Sequence, residues 1–564
     1  MTSQMSNIDW TIIAIYLIAV VALGVVAGSL RRRDERGGEG GHYFLAGRTL
    51  TWPVIGLAMF AANISTVHLV SLAEAAYKYG LVYGNFEWMA GFTLILLSLV
   101  FAPLYVRSRV TTAPDFLERR FNRSCRDILS VISLFSAIVI HMGVALYTAA
   151  WVLRGMLGLV PGTKIFGIDA LFLFIAILGV LTGLYTMTGG LLAVVWTESA
   201  QTILLLIGAV VITVAAYEKI GGWTELAHTL GSHPHPLAGM ADSQVTWGTG
   251  NFLNVTRYGK DPSGLPWYSI LLGYPVIGIW YFCCDQTIVQ RVLAAKDEKH
   301  ARLGPLFCAF LKIFPVFLFV LPGVICVALV QKNLFNGAAP ETAADTYTFM
   351  LTHLLPVGLK GLVAAALLAA AMQTCSAALN STATLVAYDL FKRYRPGLPD
   401  HQLVRIGKIT TIVGTILAII ASPLFGHYTT IFEGINKLIS YVSPPVTTVF
   451  MLGIFWHRAS SRSACITLVA GIVLGFIAFL LDWNNIYRGD FMLMAFWLLV
   501  ACLGIMILTT FLFPEPLKDE ARALVWQSWT DPLKGRADGR GLANYRLAAA
   551  AVLVVFVALF LIFR

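Results

Sequence analysis

The chain has 564 residues, 58% of them hydrophobic and only 12% charged, with a mean hydropathy of +0.76 and a formal net charge of +10. These values exclude a soluble globular domain and describe a polytopic membrane protein. The basic surplus follows from topology, as set out below, so it requires no nucleic-acid partner.

Apolar windows long enough to cross about 30 Å of hydrocarbon predict fourteen spans, near 10–30, 52–78, 84–106, 127–158, 168–189, 195–217, 267–291, 304–330, 357–388, 404–424, 430–456, 463–483, 490–512 and 545–563. The first has no basic region before it and no small-residue cleavage site after it, and Arg31, Arg32 and Arg33 follow directly. It reads as a retained helix, not a signal peptide. Of eight cysteines only Cys125 falls in a predicted loop. No disulfide framework is visible, and the cysteines read as small buried hydrophobes.

Threaded alternately, the loops on one side hold 28 Lys and Arg, and the other side with both tails holds 7. The basic loops then face the cytoplasm, in a multi-pass protein of the plasma membrane, a bacterial inner membrane, with both termini outside and lipid as its surroundings.

The second span carries Pro53 and Gly56 and then the polar FAANISTVH (60–68). The seventh carries Gly273, Pro275 and Gly278 before IWYFCCDQTIVQR. Proline and glycine interrupt the hydrogen-bond ladder and leave carbonyls free, which a bilayer tolerates only beside a cavity or an ion. Two interrupted spans at matching places point to an inverted-repeat transporter. The expected units are an extra helix with a basic inner loop over 1–42, a first five-helix repeat over 43–217, an outer loop over 218–266, a second five-helix repeat over 267–458 and three C-terminal helices with an inner loop over 459–564.

Lys312 falls well inside its span, where an ammonium needs an acid, a water-filled cavity or a substrate oxygen. Glu74, Glu87, Glu198, Asp285 and Glu433 are acids in or beside apolar spans. The run AAAMQTCSAALNSTAT (369–384) adds hydroxyls and amides among alanines. Such residues let membrane helices pack closely, and they also supply oxygen ligands to a hard cation.

Five stretches then carry a resemblance: GGLLAVVWTESAQ (189–201), IWYFCCDQTIVQRVLAAK (279–296), AFLKIFPVFLFVLPG (309–323), ALNSTATLVAYDLFKR (378–393) and SYVSPPVTTVFMLGIFW (440–456). They resemble the sodium/solute symporter family, and within it the sodium/glucose cotransporter branch, with likeness from about YFLAGR (43–48) to IFWHR (454–458). The resemblance implies an all-α membrane protein of about 14 helices, a 5+5 inverted repeat of the leucine-transporter type, and alternating access. It also implies a sodium ion held by carbonyls of Ala61, Ile64 and Ala370 with the side chains of Gln373 and Thr374. The family usually has two hydroxyls at that pair, and a glutamine changes the geometry. Glu198, in place of an aspartate, implies with Ser376 a second sodium site or a structural role. The implied solute site is Asn63, His68, Glu87, Tyr281, Lys312 and Asn436, and the solute a sugar or polyol. His68 and Asn436 stand where glutamines are usual, Gly278 where a bacterial galactose transporter has asparagine, and Ala90 where it has serine.

Other functions fit less well. No G-x-x-x-x-G-K-[ST] loop is present for a nucleotide-driven pump, and the HPHP at 233–236 lacks helical metal-ligand spacing, so no enzyme is expected. A channel, a carboxylate or amino-acid carrier, and a proton in place of sodium stand as alternatives.

Overall fold

The computed structural model describes residues 5–31, 45–160, 162–232, 252–258, 263–427, 431–484, 486, 489–534 and 541–564. Arg32, Arg33, the HPHP at 233–236 and the 233–251 and 259–262 parts of the 218–266 loop lie outside these residues. The fold is helical, with one short pair of strands, Lys164–Ile165 and Ile168–Asp169, among the described residues.

Chain order gives α1 (Asn7–Arg31), α2 (Trp52–Asn63), α3 (Thr66–Tyr79), α4 (Asn85–Leu96), α5 (Arg123–Phe135), α6 (Val144–Met156), α7 (Ala170–Ile220), α8 (Trp267–Ile279), α9 (Gln286–Leu293), α10 (Glu298–Leu311), α11 (Leu321–Gln331), α12 (Leu359–Thr384), α13 (Asp400–Ala421), α14 (Ile431–Phe455), α15 (Ser461–Trp483), α16 (Phe491–Leu512) and α17 (Tyr545–Ile562). Among the described residues twelve helical stretches are long and apolar enough to cross a membrane, and Asn7–Val20 and Trp52–Asn63 are shorter apolar helices at two further expected spans. The second expected span is cut at Ile64, and its later half runs on through Gly80–Gly84 into the third.

The fifth and sixth expected spans form a single helical run, α7, of 51 residues. Tyr185 donates to the carbonyl of Met372, and the carbonyl of Glu198 accepts from the adjacent Gln373. Thirteen residues of straight helix would part these two points by about 20 Å. The run therefore folds back on itself and crosses twice.

The first break is where FAANISTVH places it. α2 ends at Asn63, Ile64 is extended (φ −77°, ψ 115°), and the Ser65 hydroxyl accepts from Val67 N at 3.2 Å to start α3. The second break corrects the expectation. Pro275 lies inside α8, where Gly273 lets the helix pass close to the Met492 carbonyl of α16. Winding is lost ten residues later at Asp285 (φ −72°, ψ 128°), whose carboxylate accepts from Thr287 N at 2.8 Å. Aspartate is a preferred helix N-cap, and it outweighs the proline here.

Contacts sort the loops onto two faces. On one, Asp9 accepts from Gly358 N and Gly361 N at 2.7 and 2.9 Å, capping the start of α12, and Val255 N donates to the Phe563 carbonyl. On the other, Arg107 pairs with Glu298, Arg126 with Glu118 and Asp389, and Arg393 with Asp127. Cys125, expected in a loop, opens α5 and faces Cys465 with sulfurs 3.1 Å apart.

Candidate functional site

The first break and the π-helical turn that precedes the second border a cavity of about 110 Å³, room for on the order of eight water-sized groups. Its polar lining includes Asn63, Ser65, His68, Glu87, His141 and Lys312, with Thr374 and Asn436 beside them. Phe86, Tyr274 and Phe432 close one side. The Phe86 and Phe432 rings meet edge to face at 4.6 Å, and the Tyr274 hydroxyl donates to the Phe86 carbonyl at 2.9 Å. Tyr281 lines the cavity from the π-helical turn Trp280–Cys284. π-turns loosen the helical ladder and recur at functional positions.

Lys312 follows directly on α10, so its side chain leaves the end of that helix for the cavity. Its Nζ lies 2.6 Å from Glu87 Oε2 and also donates to Asn63 Oδ1. Both charged side chains are almost wholly buried, at 1% and 2% exposure, so each needs the other to offset desolvation. His68 Nε2 stands 3.8 Å from the second Glu87 oxygen, while its Nδ1 accepts from Ser65 N. The Tyr281 hydroxyl bonds the Asn63 side chain. Asn436 commits its amide nitrogen to the Phe432 carbonyl at 2.8 Å. The structure thus gathers Asn63, His68, Glu87, Tyr281, Lys312 and Asn436 around one space.

The residues assigned to sodium divide. α2 stops at Asn63, and Ser65 N, the donor that would close onto the Ala61 carbonyl, turns to His68 instead. The Ala61 carbonyl, in the last turn of α2, and the Ile64 carbonyl thus border the break, beyond which Thr66 pins the chain to α12 through the Leu367 carbonyl at 2.5 Å. Thr374 faces the cavity and bonds the Ala370 carbonyl at 3.4 Å. Gln373 turns away, with Nε2 on the Glu198 carbonyl at 3.3 Å and Oε1 buried without a partner among the described residues. These donors are all oxygens, as a hard cation requires, and the Gln373 acceptor would be satisfied by one. Glu198 is engaged elsewhere: both its carboxylate oxygens lie 3.1 Å from Arg291 Nη2, with both side chains buried. Ser376 is buried near Tyr185. No cluster of His, Cys, Asp or Glu that could hold a metal occurs among the described residues.

Two contributors escaped the sequence. His141 was one apolar-span histidine among many polar residues, and it gains meaning only when the fold brings its Nε2 to 3.4 Å from Asp285, 144 residues away. The aromatic closure by Phe86, Tyr274 and Phe432 comes from three separate helices, so no local spacing announces it.

The family model for the sodium:solute symporter family matches residues 43–471. Sodium/glucose cotransporter 4 of Danio rerio is 31% identical over 490 residues, which is 84% of this chain and 72% of that protein. A sodium/mannose cotransporter of Bos taurus is 30% identical over 575 residues, 97% of this chain and 93% of its own length. Sodium/myo-inositol cotransporter 2 of Sus scrofa is 32% identical over 494 residues, 84% of this chain and 70% of that protein. Among solved structures, a Na+-coupled sialic acid symporter in a substrate-bound outward-open state shares the fold, with a TM-score of 0.72 over 91% of this chain and 99% of that one at 24% identity.

Proposed function

The chain belongs to the sodium:solute symporter family, and from that premise we propose that it carries a small neutral polyhydroxy solute, a sugar or polyol, inward with sodium by alternating access. The observation that carries this reading is charge pairing. Lys312 and His68 both face Glu87, and His141 faces Asp285, so among the described residues the cavity offers a carboxylate solute no cation without a partner. A hydroxyl can exchange with these paired groups in either direction, accepting from the ammonium and donating to the carboxylate. Tyr281 and the Phe86 side supply apolar faces for a ring, as small-molecule sites commonly do. The relatives named for glucose, mannose and myo-inositol agree with this solute class.

Sodium is assigned to the break bordered by Ala61 and Ile64, with Ala370, Thr374 and Gln373. A cation there would sit beside Asn63 and His68, so its binding favours the arrangement that also binds solute, and coupling follows from that differential affinity. Glu198 and Ser376 remain the proposed second cation position, where a cation would compete with Arg291 for the carboxylate. Both termini are assigned to the outside on the distribution of basic residues. Epitope tags at either end, tested for antibody access in intact cells, check that orientation.

The functional test is uptake into proteoliposomes of a labelled panel of hexoses, polyols, carboxylates and amino acids, with and without an inward sodium gradient. Sodium-dependent accumulation of one or more neutral polyhydroxy solutes, unaffected by organic acids, is the expected result. Competition by a carboxylate, or uptake indifferent to sodium, would refute it.

A further inference from the structure

His141 sits in the π-helical segment Ser136–Gly143 between α5 and α6 and lines the same cavity as the Glu87 and Lys312 pair. Its ring stacks parallel to Trp280 at 6.4 Å and meets Tyr281 edge to face at 5.5 Å. Nε2 is directed at Asp285 Oδ2, 3.4 Å away. Asp285 in turn caps α9 at the second helix break. A carboxylate on one ring nitrogen fixes the tautomer of a neutral imidazole. Here it holds the proton on Nε2 and leaves Nδ1 as an acceptor, with no protein partner for that atom among the described residues. The first break has the corresponding arrangement in His68, which lines the cavity while its ring bonds the capping residue Ser65.

We propose that His141 is a solute-binding residue, its Nδ1 accepting from a solute hydroxyl while Asp285 orients the ring, so that occupancy of the cavity bears directly on the winding at Asp285. This rests on the polyhydroxy-solute reading above. It assigns each helix break one histidine, both from the first half of the chain, that touches both the cargo and the residue at which the helix breaks. The other charged or titratable groups that line the cavity with the imidazole are Tyr281, from the turn before Asp285, Tyr274, Glu87, Lys312 and His68. The first pairing at Glu87 leaves Asp285 as the carboxylate that sets the His141 tautomer.

Two amides separate the ring's two atoms. An asparagine places its amide near the Nδ1 position, and a glutamine places its amide near Nε2. His141→Asn, His141→Gln and His141→Phe are compared in proteoliposomes with the hexose or polyol that the unaltered protein accumulates best, together with its monodeoxy analogues. His141→Gln, which keeps the bond to Asp285, is expected to raise the solute KM about tenfold, the worth of one buried hydrogen bond, with the sodium activation curve unchanged. His141→Asn is expected to stay within a few-fold of the unaltered KM. One monodeoxy analogue, disfavoured by the unaltered protein, should be carried by His141→Gln as well as the parent solute is. Loss of that discrimination is a readout that a merely structural ring would not move.

The proposal is overturned if His141→Gln keeps the unaltered KM and analogue preference, or if all three variants shift solute and sodium constants together. Should a variant fold poorly, solute binding to its detergent-purified monodisperse fraction, measured by calorimetry, gives the same comparison. Failure of the polyhydroxy reading looks different: the unaltered protein would then accumulate no hexose or polyol with sodium, or would prefer an acid.

Discussion

Lys312 and Glu87 form a charge pair with almost no solvent exposure, and in the proposed role a solute opens it. Truncating one partner leaves the other charge buried alone, a cost of about 3–5 kcal/mol. Lys312→Ala is therefore expected to abolish uptake and to lower thermal stability in detergent, read as the melting point of the purified protein. Lys312→Met combined with Glu87→Leu should recover much of that stability and none of the uptake. A double variant that transports would remove both groups from the site. Thr374 makes a different prediction. Its hydroxyl is at the cavity edge beside the unwound segment, so Thr374→Ala should raise the sodium concentration for half-maximal uptake about tenfold with little change in stability, as expected for losing one oxygen contact to a charged group. An unchanged sodium curve would move the ion elsewhere.

At the level of elements, the break between α2 and α3 depends on a start signal as much as on a stop. Ser65 and His68 form a capping box at the first turn of α3. Ser65→Ala should cost about 1 kcal/mol of stability and blunt the sodium response together with solute affinity, since Ile64 and His68 flank the altered residue. Measured half-activation constants for both would show it. This segment was legible beforehand because polar residues at bilayer depth are expensive and FAANISTVH concentrates four of them. The partner break was legible only in its existence. Proline is a conspicuous breaker, yet α8 absorbs Pro275 through close packing on α16, while Asp285, an ordinary acid in the sequence, supplies the cap that restarts the chain. Likewise a 51-residue helical run hides two crossings, and only contacts from its halves to neighbouring positions of α12 reveal the fold-back. Lys312 was legible by depth alone, whereas His141 was not, because its partner is distant in the chain.

Over the whole molecule, the ion gradient is the energy source. One sodium ion moving through 100 mV releases about 2.3 kcal/mol, so collapsing that potential with an ionophore should lower the steady accumulation ratio roughly fifty-fold per ion carried. A ratio indifferent to voltage would mean electroneutral exchange. The face bearing Arg126, Glu118, Arg393 and Asp127 adds a pH dependence of known sign. Partial burial pulls the Glu118 carboxyl upward, but its bonds to Arg126 and Arg393 hold it net below its ordinary value of 4.5. That contribution is complete above the unfolded value and is lost as pH falls through the folded one. Glu118→Gln should thus lower the melting point at pH 7 and leave it nearly unchanged near pH 3, with differential scanning fluorimetry as the measure.

Asp9 brings a practical corollary. The helix bearing Thr374 begins where a carboxylate from the far end of the chain accepts two of its amide protons. Trimming the first dozen residues, or splicing a fusion partner tightly against them, would therefore slacken the anchorage of the helix that carries the proposed sodium ligands. Leader design and purification handles become variables of cation affinity, and a clone shortened for better yield could be misread as one with an altered stoichiometry.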